Sequence, residues 1–212
     1  MKHIFTKLFT LVAAFLLIFL LSCLNNETPI VPTQDEEYRN EIYLKYVDPI
    51  NRGLAIYSWE TPSEISADVL IVFCSNNNLL QLSGPYGDYE GLIFLVPATE
   101  VEAAISQYFD GLSPEHLRTS QFYEYDEIPG HDSTNKYYMP MGYSSGCDST
   151  VLHVEEDGDI LRIVGQSYAW YDYDTPMETF LLTVRLEQDG FKYLSCEVFP
   201  QLYYNAYDKT YS

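Results

Sequence analysis

The sequence predicts an α+β fold, a curved antiparallel β-meander packed against two or three helices, and three observations predict it. From Ser120 onward, apolar residues recur with period two, the signature of half-buried strands. Two consecutive hairpins turn on Asp-Gly pairs, Asp157-Gly158 and Asp189-Gly190, which joins those strands in an antiparallel meander. Upstream, two segments pair capping-box spacing with apolar residues at helical intervals, supplying helices to close one face of the sheet.

Taken in chain order, Leu24–Gln34, with its Asn, Pro, Thr and Glu, reads as a polar tether, and Asp35–Tyr46 as a short charged helix. Thr61-Pro62-Ser63-Glu64 has capping-box spacing with Pro at the first helical position. A helix is expected to start there, with Ile65, Val69, Val72 and Phe73 on one face. Val69–Cys74 is equally an unbroken β-prone run; the cap and the Asn76-Asn77-Asn78 stop favour helix over buried strand. Gly91–Val96 reads as a strand broken by Pro97. Thr99–Glu102 repeats the capping-box spacing, and Val101, Ala104, Ile105, Tyr108 and Phe109 make one helical stripe ended by Gly111. Ser113-Pro114-Glu115-His116 starts a further helical turn reaching Arg118.

Gln121–Tyr125 and Lys136–Met139 look like strands flanking the Pro129–Asp132 loop. Val151–Glu155 and Ile160–Val164 form the first hairpin, Thr179–Glu187 and Phe191–Phe199 the second. In the third of these strands Phe180, Leu182, Val184 and Leu186 share a face. In the last, Cys196 is in phase with Leu194 and Val198 and is expected in the core, as is Cys74 at the end of its apolar run. There is no internal repeat. The element order resembles that of cystatin-like and NTF2-like rolls, a likeness with little functional weight.

The N-terminus carries the clearest functional signal. Lys2 and Lys7 precede Leu8–Leu21, apolar apart from Thr10; the run is short for a spanning helix and suits the apolar region of a signal peptide. Leu20-Leu21-Ser22-Cys23 resembles the bacterial lipobox. That resemblance implies diacylglyceration of the Cys23 thiol, loss of residues 1–22, a lipidated N-terminus and tether over 23–34, a single domain over 35–212, and a protein lipid-anchored at the extracytoplasmic face of the cell membrane. An ordinary secretory signal with an incidental Cys23, and an uncleaved single-span anchor, are the alternatives.

The full chain has 11 Lys+Arg against 31 Asp+Glu. Loss of the leader removes two lysines and no acids, leaving 9 against 31, a formal charge of −22. Such a charge opposes binding to nucleic acid and to anionic headgroups, so the membrane contact is expected to be the acyl chains. Twenty Tyr and 11 Phe accompany only 2 Trp. Strand tyrosines in an antiparallel sheet explain that bias more simply than a binding platform does. With Cys23 lipidated, Cys74, Cys147 and Cys196 remain, an odd number that allows at most one disulfide. There is no Cys-x-x-Cys and no zinc spacing, and neither a metal nor any other cofactor is expected.

Three pieces resemble a group of bacterial surface lipoproteins, chiefly of Gram-positive anaerobes. They are Val96–Glu102 leading to Tyr108-Phe109, Leu117–Tyr123, and Asp189–Ser195. The similarity spans roughly Trp59 to Phe199, rests on caps, strands and turns, and brings no assigned activity.

Candidate chemistry is sparse. Cys147 with His131 or His116, the imidazole oriented by Asp132 or Asp148, is the one nucleophile–base set to weigh, and no nucleophile motif accompanies it. His116 at a helix start reads as solvent-facing and His153 as a surface strand residue. Glu124–Glu127 and Asp172-Tyr173-Asp174 supply carboxylate pairs of the kind glycoside cleavage or calcium would need, but in a chain with 31 acids such clusters arise as solvated charge. The most suggestive segment is Tyr168-Ala169-Trp170-Tyr171-Asp172-Tyr173-Asp174. Its rings could stack on a sugar or peptide while its acids accept hydrogen bonds, making Tyr168, Trp170, Tyr171, Asp172 and Tyr173 the candidate ligand-binding residues. The plainer reading is an aromatic cluster over the open end of the sheet. A non-catalytic module binding a glycan, peptide or protein is favoured over a carboxylate- or cysteine-dependent hydrolase and over a structural spacer.

Overall fold

The structure, a computed structural model, describes residues 35–53, 56–80, 94–125, 132–140, 147–169, 172–200, 204–205 and 210–211. All of them belong to one compact unit, Gln34–Ala206 with Thr210–Ser212. Cys23, the leader and the tether lie outside the described residues. No helix of the described residues is long and apolar enough to cross a membrane.

The fold is α+β as expected. Its N-terminal helix is longer than the charged Asp35–Tyr46 segment suggests: α1 (Glu36–Ile42) passes through a π turn, Tyr43–Val47, into α2 (Asp48–Gly53). Asp35 starts it, its carboxylate accepting from the Glu37 N–H. The wide turn ends just before Pro49, which has no N–H to give to the helix and whose ring crowds the preceding turn. Tyr46, Val47 and Ile50 are buried, so this helix belongs to the core.

The second helix starts later than its first capping box. Glu64 does reach back, accepting from the Glu60 N–H and the Thr61 hydroxyl, but Pro62–Glu64 closes only one 3-10 turn before Ile65 extends (ψ 127°). Ser66 then caps α3 (Ala67–Asn76). Val69–Cys74 is helical, and the later start rotates the buried face onto Leu70, Ile71, Phe73 and Cys74, with Val69 and Val72 half-buried. The chain leaves through Asn77 and Asn78, the latter at φ 51°.

β1 (Phe94–Pro97) runs directly into α4 (Ala98–Ser106). The Thr99 box goes unused because the helix begins before it, with Pro97 at the N-cap and the Ala98 N–H bonded to the Asn135 carbonyl. Its stripe packs as expected: Val101, Ala104, Ile105 and Phe109 are buried and Tyr108 is half-buried. Gly111 follows at φ 74°. Ser113 caps the short α5 (Pro114–Leu117) through its hydroxyl. β2 (Lys136–Met139) pairs antiparallel with β1.

Gln121–Tyr125 is not a strand; it touches β2 through a single bridge, Tyr123 to Tyr137. The Asp68 carboxylate on α3 holds the Ser120 hydroxyl, the Gln121 N–H and the Gln121 amide, and Glu124 takes φ 49°. Anchored at one end and kinked at the other, the segment cannot extend a ladder.

The meander is β3 (Cys147–Asp157), β4 (Ile160–Ala169), β5 (Asp172–Glu187) and β6 (Gly190–Pro200), in the order β3-β4-β5-β6. Both hairpins fall where the Asp-Gly pairs place them, Asp157 facing Ile160 and Glu187 facing Gly190. Val154, Ile163, Leu182 and Cys196 form one buried row across all four strands. The simple alternation fails in β6. Thr183 faces Ser195 but Val184 faces Tyr193, so Leu194 is the extra residue of a bulge, and Tyr193 and Cys196 both point inward. A further short ladder joins β7 (Tyr204–Asn205) to β8 (Thr210–Tyr211).

Two glycines permit the closest approaches. A Cβ on Gly53 would overlap the Phe73 Cα on α3, and one on Gly165 would overlap the Phe180 ring, its cross-strand neighbour. Backbone cannot give way as a side-chain tip can. Gly53→Ala is therefore expected to cost about 1–3 kcal/mol, read as a lower urea midpoint with unchanged slope.

Candidate functional site

The two edge strands of the meander are covered differently. β6 is bridged by main chain: the Trp59 N–H and carbonyl bond Cys196 in both directions, and the Tyr108 carbonyl accepts from Tyr193. β3 carries no strand on its outer side among the described residues. Helix α1 lies beside it instead, fastened by the Tyr38 hydroxyl donating to Glu156 and the Tyr43 hydroxyl donating to Asp148 Oδ1 at 2.9 Å.

A helix cannot pair with a strand's backbone, and the contact leaves a groove of about 350 Å³, within the size range of small-ligand sites. Glu36, Arg39, Asn40 and Tyr43 line its helix side and residues 148–152 its strand side. Beneath it the Ser149 hydroxyl donates to Asn51 Oδ1 at 3.0 Å, and the Ser149 N–H donates to Asp148 Oδ1. The buried Asn51 Nδ2 sits beside the Tyr43 hydroxyl without closing a hydrogen bond. Burial and the Asp148 carboxylate push the Tyr43 phenol up to about 12.

Arg39 sets the groove apart. Its Nε is shielded from solvent and has no hydrogen-bond partner among the described residues. The chain's other four arginines each carry a carboxylate: Arg52 on Asp48, Arg118 on Glu102, Arg162 on Asp157, and Arg185 on Asp110 and Glu187. In a chain with 31 acids, a guanidinium left without one is the exception.

A second groove of about 560 Å³ lies beside β6, lined by residues 58–60, Glu64 and residues 195–198. Its strand edge is already bridged by Trp59, the Val198 N–H is taken by the Ser58 hydroxyl, and no cation lines it.

The residues singled out in the sequence are only partly placed. Tyr168 lies near the end of β4 directly across from Asp148, half-buried, its hydroxyl donating to Gln166. Asp172 opens β5 opposite Ala169, and its carboxylate accepts from the Thr175 N–H. Trp170 and Tyr171, which connect these strands, lie outside the described residues, as does the side chain of Tyr173. The register nonetheless puts this hairpin end next to Asp148. His131 and the Cys147 side chain are likewise outside the described residues. His116 is not simply solvent-facing: its Nε2 lies 2.8 Å from the Ile65 carbonyl, tying α5 to the turn before α3. His153 neighbours Glu155. Cys74 and Cys196 are unpaired thiols that burial pushes up to about 12. Glu124 accepts from the Asn135 N–H, a structural bond. Among the described residues no group of three or more His, Cys, Asp or Glu is placed to hold a metal ion.

Arg39 and Asp148 were not among the ligand-binding residues suggested by sequence. Arg39 is the only base between Asp35 and Leu44, a weak hint that its surroundings are special. Comparison with protein-family models, with curated proteins and with solved structures finds no match.

The raised groups set an alkaline limit. Cys74 and Cys196 hold their protons past the ordinary thiol value near 9, and Tyr43 past 10, each to about 12. Above those ordinary values the unfolded chain releases protons that the folded one keeps, so stability falls with rising pH. The urea midpoint is expected to hold up to about pH 9 and decline from there to about pH 12. Tyr43→Phe should flatten the part of the decline above about pH 10.

Proposed function

We propose that this protein is a lipid-anchored extracytoplasmic domain that binds a ligand without transforming it, and that the groove between α1 and β3 is its binding site. The observation that carries the site is Arg39, a half-buried guanidinium that lines the groove without a carboxylate partner among the described residues, in a chain whose other arginines are all paired. A guanidinium without a carboxylate is completed by a ligand that brings one. The basic start, short apolar run and Ser22-Cys23 junction support export and lipidation at Cys23. The charge of −22 supports a membrane contact made by acyl chains and argues against a nucleic-acid partner. Eleven residues, 24–34, lie between Cys23 and Asp35, a tether whose fully extended reach is about 40 Å.

Radiolabelled palmitate is expected to enter the wild-type chain and not Cys23→Ala; equal labelling of both overturns the anchor. For the site, the full chain is passed over an array of glycans, cell-wall fragments and peptides. Retention is expected for the wild type and not for Arg39→Gln. Loss in Trp170→Ala alone would move the site to the β4–β5 hairpin end, and no retention of the wild type would overturn the binding reading.

A further inference from the structure

Resting on the binding reading of this same groove, we infer that its ligand is a zwitterion, an α-amino acid or short peptide presenting a free carboxylate and a free ammonium. The groove holds charges of both signs. Arg39 lines the groove with a guanidinium that has no carboxylate partner among the described residues, suited to a ligand carboxylate through its fork of donors. Asp148 offers the complement. Its Oδ1 accepts from the Tyr43 hydroxyl and the Ser149 N–H, both of which fix the carboxylate, while Oδ2 takes no hydrogen bond among the described residues. Glu36 adds a second acid at the helix end of the groove.

The charge balance narrows the ligand. A simple anion would pair Arg39 but would approach a domain of net charge −22 and sit beside Glu36 and Asp148. A dianion such as phosphate fares worse. A simple cation would suit the acids and the overall field, yet leave the Arg39 guanidinium unpaired and newly buried beneath it, the more costly outcome. A zwitterion alone pairs both signs and brings no net charge. Its size also fits, since 350 Å³ is at the small end of ligand pockets. The Thr150 hydroxyl and the Asn40 amide line the groove to meet the peptide group, and Leu152 to meet an apolar side chain.

The test uses the full chain in neutral detergent and isothermal titration with three probes: Ala-Ala, N-acetyl-Ala-Ala and Ala-Ala amide. The acetyl form removes the ammonium and the amide form removes the carboxylate, so the protein itself is untouched by the comparison. Ala-Ala is expected to bind at least about tenfold more tightly than either capped form. Arg39→Gln should erase its advantage over the amide while leaving the urea midpoint unchanged, and Asp148→Asn should erase its advantage over the acetyl form. Equal binding of a capped form overturns the inference, as does no heat from any probe up to about 10 mM. If Ala-Ala fails while an array ligand is still held in an Arg39-dependent way, the zwitterion falls and the binding reading stands. If array retention fails as well, both fall.

Discussion

The fold depends on Tyr193. Its side chain is fully buried, its hydroxyl donates to the Tyr46 carbonyl at 2.9 Å, and its N–H donates to the Tyr108 carbonyl at 2.9 Å. One residue of the last long strand thus ties down the N-terminal helix and the exit of α4. Its ring packs against Phe73, Phe109 and Phe191, so helix α3 closes on the same point. Burying a phenol without a partner costs more than the hydrogen bond returns, and the Tyr46 carbonyl is what makes the position tolerable. None of this would exist without the bulge at Leu194. In regular alternation Leu194, not Tyr193, would share the inward face with Cys196, and no polar tip would reach the helix.

The groove follows from how the sheet is finished. Exposed strand edges template unwanted pairing, and this meander covers both of its edges. On β6 the cover is extended chain, which satisfies backbone with backbone and leaves Trp59 buried. On β3 the cover is a helix held by two tyrosine tips, at Glu156 and at Asp148. Side-chain tips hold the helix off the strand along the stretch between them. The concavity lined by Arg39 is the geometric remainder of that choice, and the Gly53–Phe73 contact sets how closely the helix can continue into the core.

What the sequence made legible was local. The Asp-Gly turns, the period-two strands, the Val101–Phe109 stripe and the Ser113 cap are each written within about a dozen residues. The features that escaped are settled by distant partners. Thr61–Glu64 carries a proper cap, and its helix is interrupted at Ile65, a residue fully buried in the core. Gln121–Tyr125 has strand composition, but Asp68, more than fifty residues upstream, bends it away. The groove is the extreme case, since Tyr43 and Asp148 are 105 residues apart. The Tyr168–Tyr173 segment stood out because its aromatics and acids are consecutive; Arg39 and Asp148 are each unremarkable until the fold places them on one groove.

The contrast among the arginines gives the groove its meaning. Arg118 is held by both oxygens of Glu102 and lies over the Tyr123 ring, and Glu102 also accepts from the buried Tyr137 hydroxyl. That is a closed network with its donors and acceptors engaged, and such networks fix structure. Arg39 shares the chain, the solvent and the surplus of acid, yet its Nε is screened from water and from carboxylates alike. The difference is therefore local rather than compositional. Pairing it with Glu36 on its own helix would have satisfied the guanidinium at little cost, and no such pair forms among the described residues. The side chain instead faces a space bounded on the far side by Asp148, which the Tyr43 hydroxyl and the Ser149 N–H hold in place. The groove thus carries an unpaired cation on its helix side and an immobilised carboxylate on its strand side, the pair of charges that the proposed zwitterionic ligand would meet.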